Sequence, residues 1–286
     1  MGAPGREPRA LRRFAPPVIE ARNLSFGYRS RPVLDRVTLC VEPGARLAVL
    51  GANGSGKSTL AQWLAGWQGE GASSGHVHAD GRPWRDWPLA ERARAVQLVG
   101  QIPVQHLSGR AFTVWEEAAF GPENLALPVS EIKRRVDHAL ALCKLSHLSA
   151  RDPFTLSGGE QRRLVLASAL ALEPRCLVLD EPLSNLDPEA REGVTAVLRA
   201  LPAETALVVL ETNPDIALSL ASRFALLHEG RIAVEGSARE VLLHPLTVEA
   251  VGPPAVAQAY AELGLPGPLP LELADVARLP REALAC

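Results

Sequence analysis

Apolar and polar residues follow two different spacings along this chain, and the two spacings alternate. Short apolar runs such as residues 176–180 and 206–210 predict buried strands, whereas residues 159–172 and 188–200 are predicted to be helices. Strands that alternate with helices in this way usually pair in parallel with one another. The pattern therefore predicts an α/β fold with a mainly parallel sheet covered by helices.

The same spacing rules assign the remaining elements. The predicted strands span residues 18–21, 37–41, 47–50, 95–99, 176–180, 206–210, 224–227 and 231–234. The predicted helices span residues 60–67, 159–172, 188–200 and 216–221, and a helical pattern runs from 113 to about 150. Residues 69–78, rich in Gly, Ser and His, are predicted to be an irregular break. The last two strands flank Glu229-Gly230 and predict a hairpin.

Composition narrows the class of protein. The chain has 286 residues, of which 47% are hydrophobic, so it can bury a sizeable core. Its formal charge of −2 provides no dominant basic face that would attract nucleic acid. No apolar run approaches the roughly 18 residues that a membrane helix needs, which predicts a protein that stays inside the cell. Four cysteines without C-x-x-C spacing are typical of reduced thiols in the cytosol.

The most specific motif is the sequence GANGSGKST at residues 51–59. It matches G-x-x-x-x-G-K-[ST] at every fixed position, after an apolar strand and before a helix, and so predicts a P-loop NTPase core. The backbone N–H groups are expected to surround phosphate oxygens, Lys57 to bridge the β- and γ-phosphates, and the Ser58 hydroxyl to hold Mg²⁺. The residues predicted to bind the nucleotide in this loop are Gly51, Asn53, Gly54, Ser55, Gly56, Lys57, Ser58 and Thr59.

A second motif supplies acidic side chains. The apolar run 177–179 leads directly to Asp180 and Glu181. We expect Asp180 to hold Mg²⁺ through water and Glu181 to polarise the water that attacks the phosphate. Apolar strands that end in acids are common, so this motif gains its meaning from the phosphate loop that precedes it.

The sequence LSGGEQRR at residues 156–163 resembles the signature sequence of ATP-binding cassette proteins. A serine hydroxyl and glycine N–H groups at the start of a helix can bind a γ-phosphate. The resemblance implies that Ser157, Gly158 and Gly159 act on ATP held by a second cassette subunit, so that two cassettes enclose two nucleotides head to tail.

Other residues match the family pattern in order. Tyr28 resembles the aromatic residue that stacks on adenine, and Gln101 resembles the glutamine that senses Mg²⁺ and couples to a membrane partner. Asp187 resembles the residue that communicates between the two sites. The family's switch histidine corresponds here to Thr212, whose hydroxyl can hydrogen-bond phosphate but lacks the charge and reach of an imidazole. We therefore expect ATP binding to survive and hydrolysis at this site to be slow.

One branch of the family fits best. The sequence TVWEE at residues 113–117 and FGPENL at residues 120–125 are similar to energy-coupling factor transporter ATPases, including those that serve cobalt and vitamins. A composition rich in Gly, Pro and Arg predicts a disordered tail over residues 1–17. The resemblance implies a cassette domain over residues 18–244 and a helical extension for pairing over residues 245–286. Within the cassette it implies an N-terminal antiparallel β subdomain and a helical signature subdomain at about 102–165.

The resemblance implies a peripheral protein on the cytoplasmic face of the cell membrane that binds ATP and Mg²⁺. Its partners would be a second ABC ATPase subunit, identical or different, a transmembrane coupling protein and a membrane component that captures the substrate. A catalytically weak or silent subunit of a heterodimer, and the ATPase of another ABC importer, are the alternatives. A cassette protein that acts on nucleic acid is a further alternative, but it would need a second cassette or a coiled-coil insert, and this sequence shows neither pattern. Vitamin and metal ion both remain open as the substrate.

Overall fold

The fold is taken from a computed structural model that describes residues 16–29, 31–67, 69–265 and 267–278. Most of the predicted disordered tail, residues 1–15, and the end of the predicted extension, residues 279–286, lie outside the described residues. The strands are β1 Ile19–Tyr28, β2 Arg31–Val41, β3 Arg46–Leu50, β4 Ala72–Ala79, β5 Arg82–Pro83, β6 Val96–Val99, β7 Cys176–Asp180, β8 Ala206–Glu211, β9 Arg223–His228 and β10 Arg231–Gly236. The α-helices are α1 Lys57–Leu64, α2 Leu89–Ala95, α3 Val114–Asn124, α4 Val129–Leu142, α5 Gly158–Leu170, α6 Pro188–Arg199, α7 Pro214–Leu220, α8 Ala238–Leu242, α9 Pro245–Val251, α10 Ala255–Glu262 and α11 Leu273–Val276.

The strands form two sheets. One has the order β2-β1-β4-β5 and is antiparallel throughout. The other has the order β10-β9-β3-β8-β7-β6, in which β10 is antiparallel to β9 and the other neighbours are parallel. The predicted α/β fold, with a mainly parallel sheet and an antiparallel N-terminal sheet, is confirmed.

The parallel sheet is buried on both faces. Val178 and Val208 pack into the apolar cluster that contains residues of α1 and of the antiparallel sheet. Leu177 and Leu207 pack into a second cluster, built with residues of α3, α4, α5 and α6. Neighbouring residues of one strand point to opposite faces, so apolar residues at every position are needed where helices cover both sides. This requirement explains why the predicted central strands were continuous apolar runs.

The predicted break at residues 69–78 is wrong over most of its length, because Ala72–Ala79 is the strand β4. The first five residues of β4 are exposed, and Val77 and Ala79 are buried. The strand therefore shows almost no alternation of apolar and polar residues. Antiparallel pairing with β1 holds it in the sheet through backbone hydrogen bonds. Pairing with β4 as far as Gly27, and with β2 as far as Tyr28, continues β1 beyond its predicted end at residue 21.

The helical pattern at residues 113–150 resolves into α3 and α4. Thr113 and Glu116 form a capping box that starts α3, each side chain bonding the backbone of the other. Ala126 adopts a left-handed φ of 51° in the turn between the two helices. Ser157 and Glu160 form an equivalent capping box at the start of α5. Local side-chain chemistry therefore fixes where these helices begin.

The C-terminal helices pack onto the edge of the parallel sheet. Val241 and Leu242 of α8 join Phe224 of β9 and the more distant Leu271 in a third apolar cluster. The helices α9 and α10 follow within the predicted extension, whose boundary at residue 244 stays a prediction. Over the described residues, we find no helix whose length and apolar character would let it cross a membrane.

Candidate nucleotide site

A cleft of about 1580 Å³ opens at the carboxyl ends of the parallel strands, beside the antiparallel sheet. Ligands of parallel α/β sheets bind in this position, because loops and helix N-termini meet there. The predicted site residues that line the cleft are Tyr28, Asn53, Gly54, Gly56, Lys57, Ser58, Thr59, Gln101 and Glu181. Gly51 and Ser55 lie behind this lining, where a Cβ on Gly51 would come within 2.5 Å of the Ser55 hydroxyl oxygen.

Gly56 shapes the end of the phosphate-binding loop. It has a φ of 104°, which favours glycine, and it directly precedes α1. A Cβ at this position would also come within 3.0 Å of the Val33 carbonyl oxygen. The loop can thus turn tightly into the helix, and the unpaired N–H groups of the first turn of α1 lie beside the cleft. Such groups can bind an anion.

Lys57 is the buried cation of the site. Its side chain is 6% exposed, and its Nζ donates to the carbonyl oxygens of Gly51 at 2.9 Å and Ala52 at 3.1 Å. Burial lowers the pKa of Lys57, while nearby carboxylates, Glu181 first, oppose the shift. The backbone of the loop therefore holds the amine beside the cleft, where a phosphate group would be a stronger ligand.

Ser58 and Asp180 are the oxygen ligands predicted for Mg²⁺. Burial raises the pKa of Asp180, and a hydrogen bond with the Ser58 side chain opposes the shift. Across the described parts of the chain, no group of three or more His, Cys, Asp or Glu side chains could hold a metal. A hydroxyl and a single carboxylate suit Mg²⁺, which is commonly completed by water and substrate phosphates. The residues present therefore fit the predicted ion.

Gln101 and Glu181 meet at the mouth of the cleft. The Gln101 Nε2 donates to the Glu181 Oε2 at 2.8 Å, and the Lys57 Nζ lies 3.9 Å from the Glu181 Oε1. Glu181 has a left-handed φ of 48°, which turns the chain sharply after β7. These contacts place a carboxylate, an amide and an amine together beside the phosphate-binding loop. A carboxylate in this position can accept a proton from a water molecule.

Arg162 is a site residue that the sequence analysis did not single out. It lies on α5 and is 2% exposed. Its guanidinium donates to the carbonyl oxygens of Gly100 at 2.8 Å and Gln101 at 2.6 Å. Arg162 therefore fixes the backbone of the loop that carries the Gln101 side chain. The available sequence signal was the first of two consecutive arginines, on a face of the helix that periodicity alone did not mark as buried.

Glu211 was also missed. It ends β8 and is 2% exposed. Burial raises the pKa of Glu211 to about 8, the Glu181 charge adds to the shift, and hydrogen bonds from the backbone of Asn213 and Thr212 oppose it. A glutamate directly after the apolar run 206–210, like the acids after run 177–179, was the available signal.

Tyr28 lies at the open end of the cleft. The ring is 42% exposed and packs edge-on against Phe26, with ring centroids 4.7 Å apart. One face of the tyrosine is thus free to meet a flat ligand, as the predicted adenine contact requires.

The signature residues lie away from the cleft lining. Ser157 and Gly158 are exposed at the start of α5, where the Ser157 hydroxyl accepts from the Glu160 N–H at 3.3 Å. Asp187 is exposed as well and caps α6 by accepting from the Ala190 N–H at 2.8 Å. Thr212 follows β8 and is half-buried, outside the cleft lining. The predicted site residues therefore fall into two groups, one within the cleft and one on the surface.

Comparisons with known proteins agree with this geometry. Residues 34–184 match the family model described as ABC transporter. The energy-coupling factor transporter ATP-binding protein EcfA1 of Symbiobacterium thermophilum is 40% identical over 272 residues, covering 89% of this chain and 92% of that protein. The cobalt import ATP-binding protein CbiO of Rhodobacter capsulatus is 37% identical over 252 residues, covering 84% of this chain and 86% of that protein.

Structural similarity leads to the same family. The structure of cbiO1 from Clostridium perfringens, part of the ABC transporter complex cbiONQ, superposes with a TM-score of 0.70 at 27% identity. The match covers 87% of this chain and 98% of that one. With its phosphate-binding loop, acidic strand end and signature helix in this arrangement, the chain belongs to the ATP-binding cassette family of transport ATPases.

Proposed function

We propose that this chain is the ATP-binding and ATP-hydrolysing subunit of an energy-coupling factor transporter that imports a vitamin or a metal ion. The observation that carries the proposal is the contact of Gln101 with Glu181 beside Lys57, while Ser157 lies outside the cleft. Gln101, Glu181 and Lys57 equip the chain to act on the nucleotide in its own cleft. Ser157 belongs to an exposed surface that can bind the phosphate of a nucleotide held by another subunit. The names of the relatives EcfA1 and CbiO support the choice of transporter branch.

In this proposal the cleft holds ATP with Mg²⁺. Tyr28 stacks on the adenine, the N–H groups of the phosphate-binding loop and Lys57 hold the phosphates, and Glu181 accepts a proton from the attacking water. The oxygen atoms of Ser58, Gln101 and Asp180 would hold Mg²⁺, directly or through water. The ion would neutralise phosphate charge when bound.

The exposed signature surface gives the second half of the proposal. The N–H groups at the start of α5 and the hydroxyl of Ser157 would bind the γ-phosphate of a nucleotide in a second ABC ATPase subunit. Asp187 would lie at the same interface. This pairing explains why a phosphate-binding sequence is exposed on the surface of the chain.

The loop after Gln101 is the surface on which we propose that a membrane partner docks. Ile102 and Val104 are each 48% exposed and Phe112 is 84% exposed, so the segment between Gln101 and α3 presents apolar side chains on the surface. We propose that a transmembrane coupling protein docks here on the cytoplasmic face of the membrane and moves when the cassettes close. A separate membrane component would capture the substrate.

Transport measured in vesicles tests the proposal. The chain is assembled with its coupling and substrate-capture components, and uptake of labelled cobalt, nickel or vitamin is followed with Mg²⁺-ATP supplied on the cassette side. We expect ATP-dependent uptake of one substrate that the variant Lys57→Met abolishes. ATP turnover without uptake of any of these substrates would argue for another ABC importer.

Thr212 favours a second candidate, a catalytically weak subunit of a heterodimer. The test compares Glu181→Gln in this chain with the corresponding change in the partner cassette, using ATP turnover of the assembled pair. Loss of turnover only from the change in the partner would support the weak subunit. Loss from the change in this chain would show that its own site hydrolyses ATP.

A further inference from the structure

Glu211 and Arg162 are buried polar side chains that the proposed chemistry leaves without a direct role. Each is 2% exposed. Among the residues for which the structure gives side chains, neither the Glu211 Oε1 nor the Arg162 Nε has a hydrogen-bond partner. Buried polar atoms nearly always have a protein or water partner, and these two side chains form no direct ion pair, so an ordered water molecule is the partner that can satisfy both atoms.

The register of the parallel strands brings Gln101, Glu181 and Glu211 to one edge of the sheet. Val99, Leu179 and Val209 lie side by side on β6, β7 and β8. Two residues further along the chain are Gln101, Glu181 and Glu211, of which Glu211 still belongs to β8 and the other two follow the ends of β6 and β7. The hydrogen bond from Gln101 to Glu181 is the first contact in this row. Glu211 is the third member of the row and lies on the far side of Glu181.

Arg162 lies close enough to act between the ends of the row. Its terminal nitrogens donate to the carbonyl oxygens of Gly100 and Gln101, which leaves its Nε unused. Val209 of β8 and Leu166 of α5 pack in the same apolar cluster, so Glu211, two residues beyond Val209, follows on the face of the sheet that the helix of Arg162 covers. The Glu211 carboxyl in turn is hydrogen-bonded by the backbone of Asn213 and Thr212. Each side chain is therefore tied to a different loop of the site.

We propose that one water molecule joins the Arg162 Nε to the Glu211 Oε1 by hydrogen bonds and so couples the loop at Gln101 to the loop at Thr212. Glu211 is then a positioning residue for Gln101 and, through Gln101, for Glu181. The inference rests on the proposed function, because it assigns both side chains to the hydrolysis site. The contact needs an acceptor oxygen and no negative charge, so an amide at position 211 can also make it.

Amide hydrogen exchange of the full chain without nucleotide tests the coupling. Glu211→Leu removes the acceptor at similar volume, and we expect roughly tenfold faster exchange at residues 100–105, on the opposite side of β7, because a buried hydrogen bond is lost. Arg162→Met should in turn speed exchange at residues 212–213, since coupling between two sites is reciprocal. Glu211→Gln should keep both loops within about twofold of the wild type.

Arg135→Met is the matched control. Arg135 lies on α4, is buried like Arg162, and also donates to a backbone carbonyl oxygen, that of Leu172. It should leave both loops unchanged. Unchanged exchange at residues 100–105 in Glu211→Leu, or at residues 212–213 in Arg162→Met, would overturn the link. The two variants give independent readings, so one that fails to fold leaves the other decisive.

Turnover by the assembled cassette pair tests the positioning role. Glu211→Leu should lower kcat about tenfold with the KM for ATP within about twofold, and Glu211→Gln should restore kcat. An unchanged kcat would overturn the role of Glu211. Failure of the proposed hydrolysis at this site would look different, because Glu181→Gln in this chain would then leave the turnover of the pair unchanged, while the exchange measurements would still report the link.

Discussion

At the scale of single residues, Lys57 shows how a buried charge is kept ready for a ligand. Burial disfavours the ammonium group, and two backbone carbonyl oxygens offset that cost by accepting from its Nζ. When a nucleotide binds, its phosphate oxygens can replace these carbonyl oxygens as acceptors for the Lys57 Nζ. The amine thus needs little rearrangement to bind a nucleotide.

Lys57→Met should therefore weaken ATP binding strongly without unfolding the chain. Loss of charge-assisted hydrogen bonds to phosphate should weaken ATP affinity by roughly 30- to 100-fold, corresponding to about 2–3 kcal/mol. An apolar side chain of similar length suits the buried position, so thermal stability should change little. Calorimetric titration with Mg²⁺-ATP gives the affinity.

Lys133→Met is the control for this change, because the Lys133 side chain is 71% exposed on α4, where it pairs with Asp137. It should bind ATP like the wild type. Equal affinities of the Lys57 and Lys133 variants would contradict a phosphate contact by Lys57.

Glu211 makes the stability of the chain depend on pH. Its pKa rises from 4.5 to about 8 on burial, so the folded state holds a proton between these values that the unfolded state releases. The stability of the wild type relative to Glu211→Gln should therefore be constant below about pH 4.5 and fall by about 1.4 kcal/mol per unit up to about pH 8.

Urea unfolding of both proteins at pH 5, 7 and 9 measures this difference. The exposed residue Glu204 offers the control Glu204→Gln for the substitution itself. A difference between the wild type and Glu211→Gln that stays flat across the three pH values would show that Glu211 is not held neutral by burial.

At the scale of elements, capping boxes start helices whose positions matter for function. Ser157 caps α5 with Glu160, and Ser237 caps α8 with Glu240 in the same way. The two boxes have the same residue types at the same spacing. Only the capping box at α5 belongs to the exposed signature surface. Comparing the two boxes therefore distinguishes the effect of losing a helix cap from the effect of losing a binding residue.

Ser157→Ala and Ser237→Ala should each cost about 1 kcal/mol of folding free energy, because each removes one helix cap. In addition, Ser157→Ala should weaken pairing of the chain with a second cassette in the presence of Mg²⁺-ATP. Chemical unfolding and sedimentation velocity measure the two effects. Equal pairing by both variants would remove Ser157 from the proposed interface.

The elements also show which parts of the fold periodicity can predict. The buried strands β7 and β8 were predicted because helices cover both faces and every position is apolar. The exposed strand β4 was missed because backbone pairing with β1 holds it, and side-chain patterns carry no record of such pairing. The split between α3 and α4 depends on the backbone at Ala126, which periodicity does not reveal.

The candidate site was predicted to the extent that its residues form contiguous motifs. Lys57 and Glu181 each follow a recognisable strand, and the structure brings both to one cleft with Gln101. Arg162 and Glu211 were missed because their importance comes from burial and from contacts between segments far apart in the chain. Such contacts depend on sheet order, which a single sequence does not give.

At the scale of the whole molecule, the proposed function makes this chain one of two cassettes that act together. One surface forms the cleft that contains Lys57 and Glu181, and a separate surface presents Ser157 at the start of α5. Neither surface completes a nucleotide site by itself in the proposed function. The two must therefore come from different subunits when ATP is bound.

Sedimentation velocity of the Glu181→Gln chain with bound nucleotide quantified tests this claim most directly. The variant should retain Mg²⁺-ATP and form a stable pair, with a second copy or with the partner cassette of its transporter, because closure is then not followed by hydrolysis. Each pair should hold two nucleotides, and removing Mg²⁺-ATP should separate the subunits. Failure to retain ATP, or retention of ATP by a chain that pairs with neither cassette, would contradict the account.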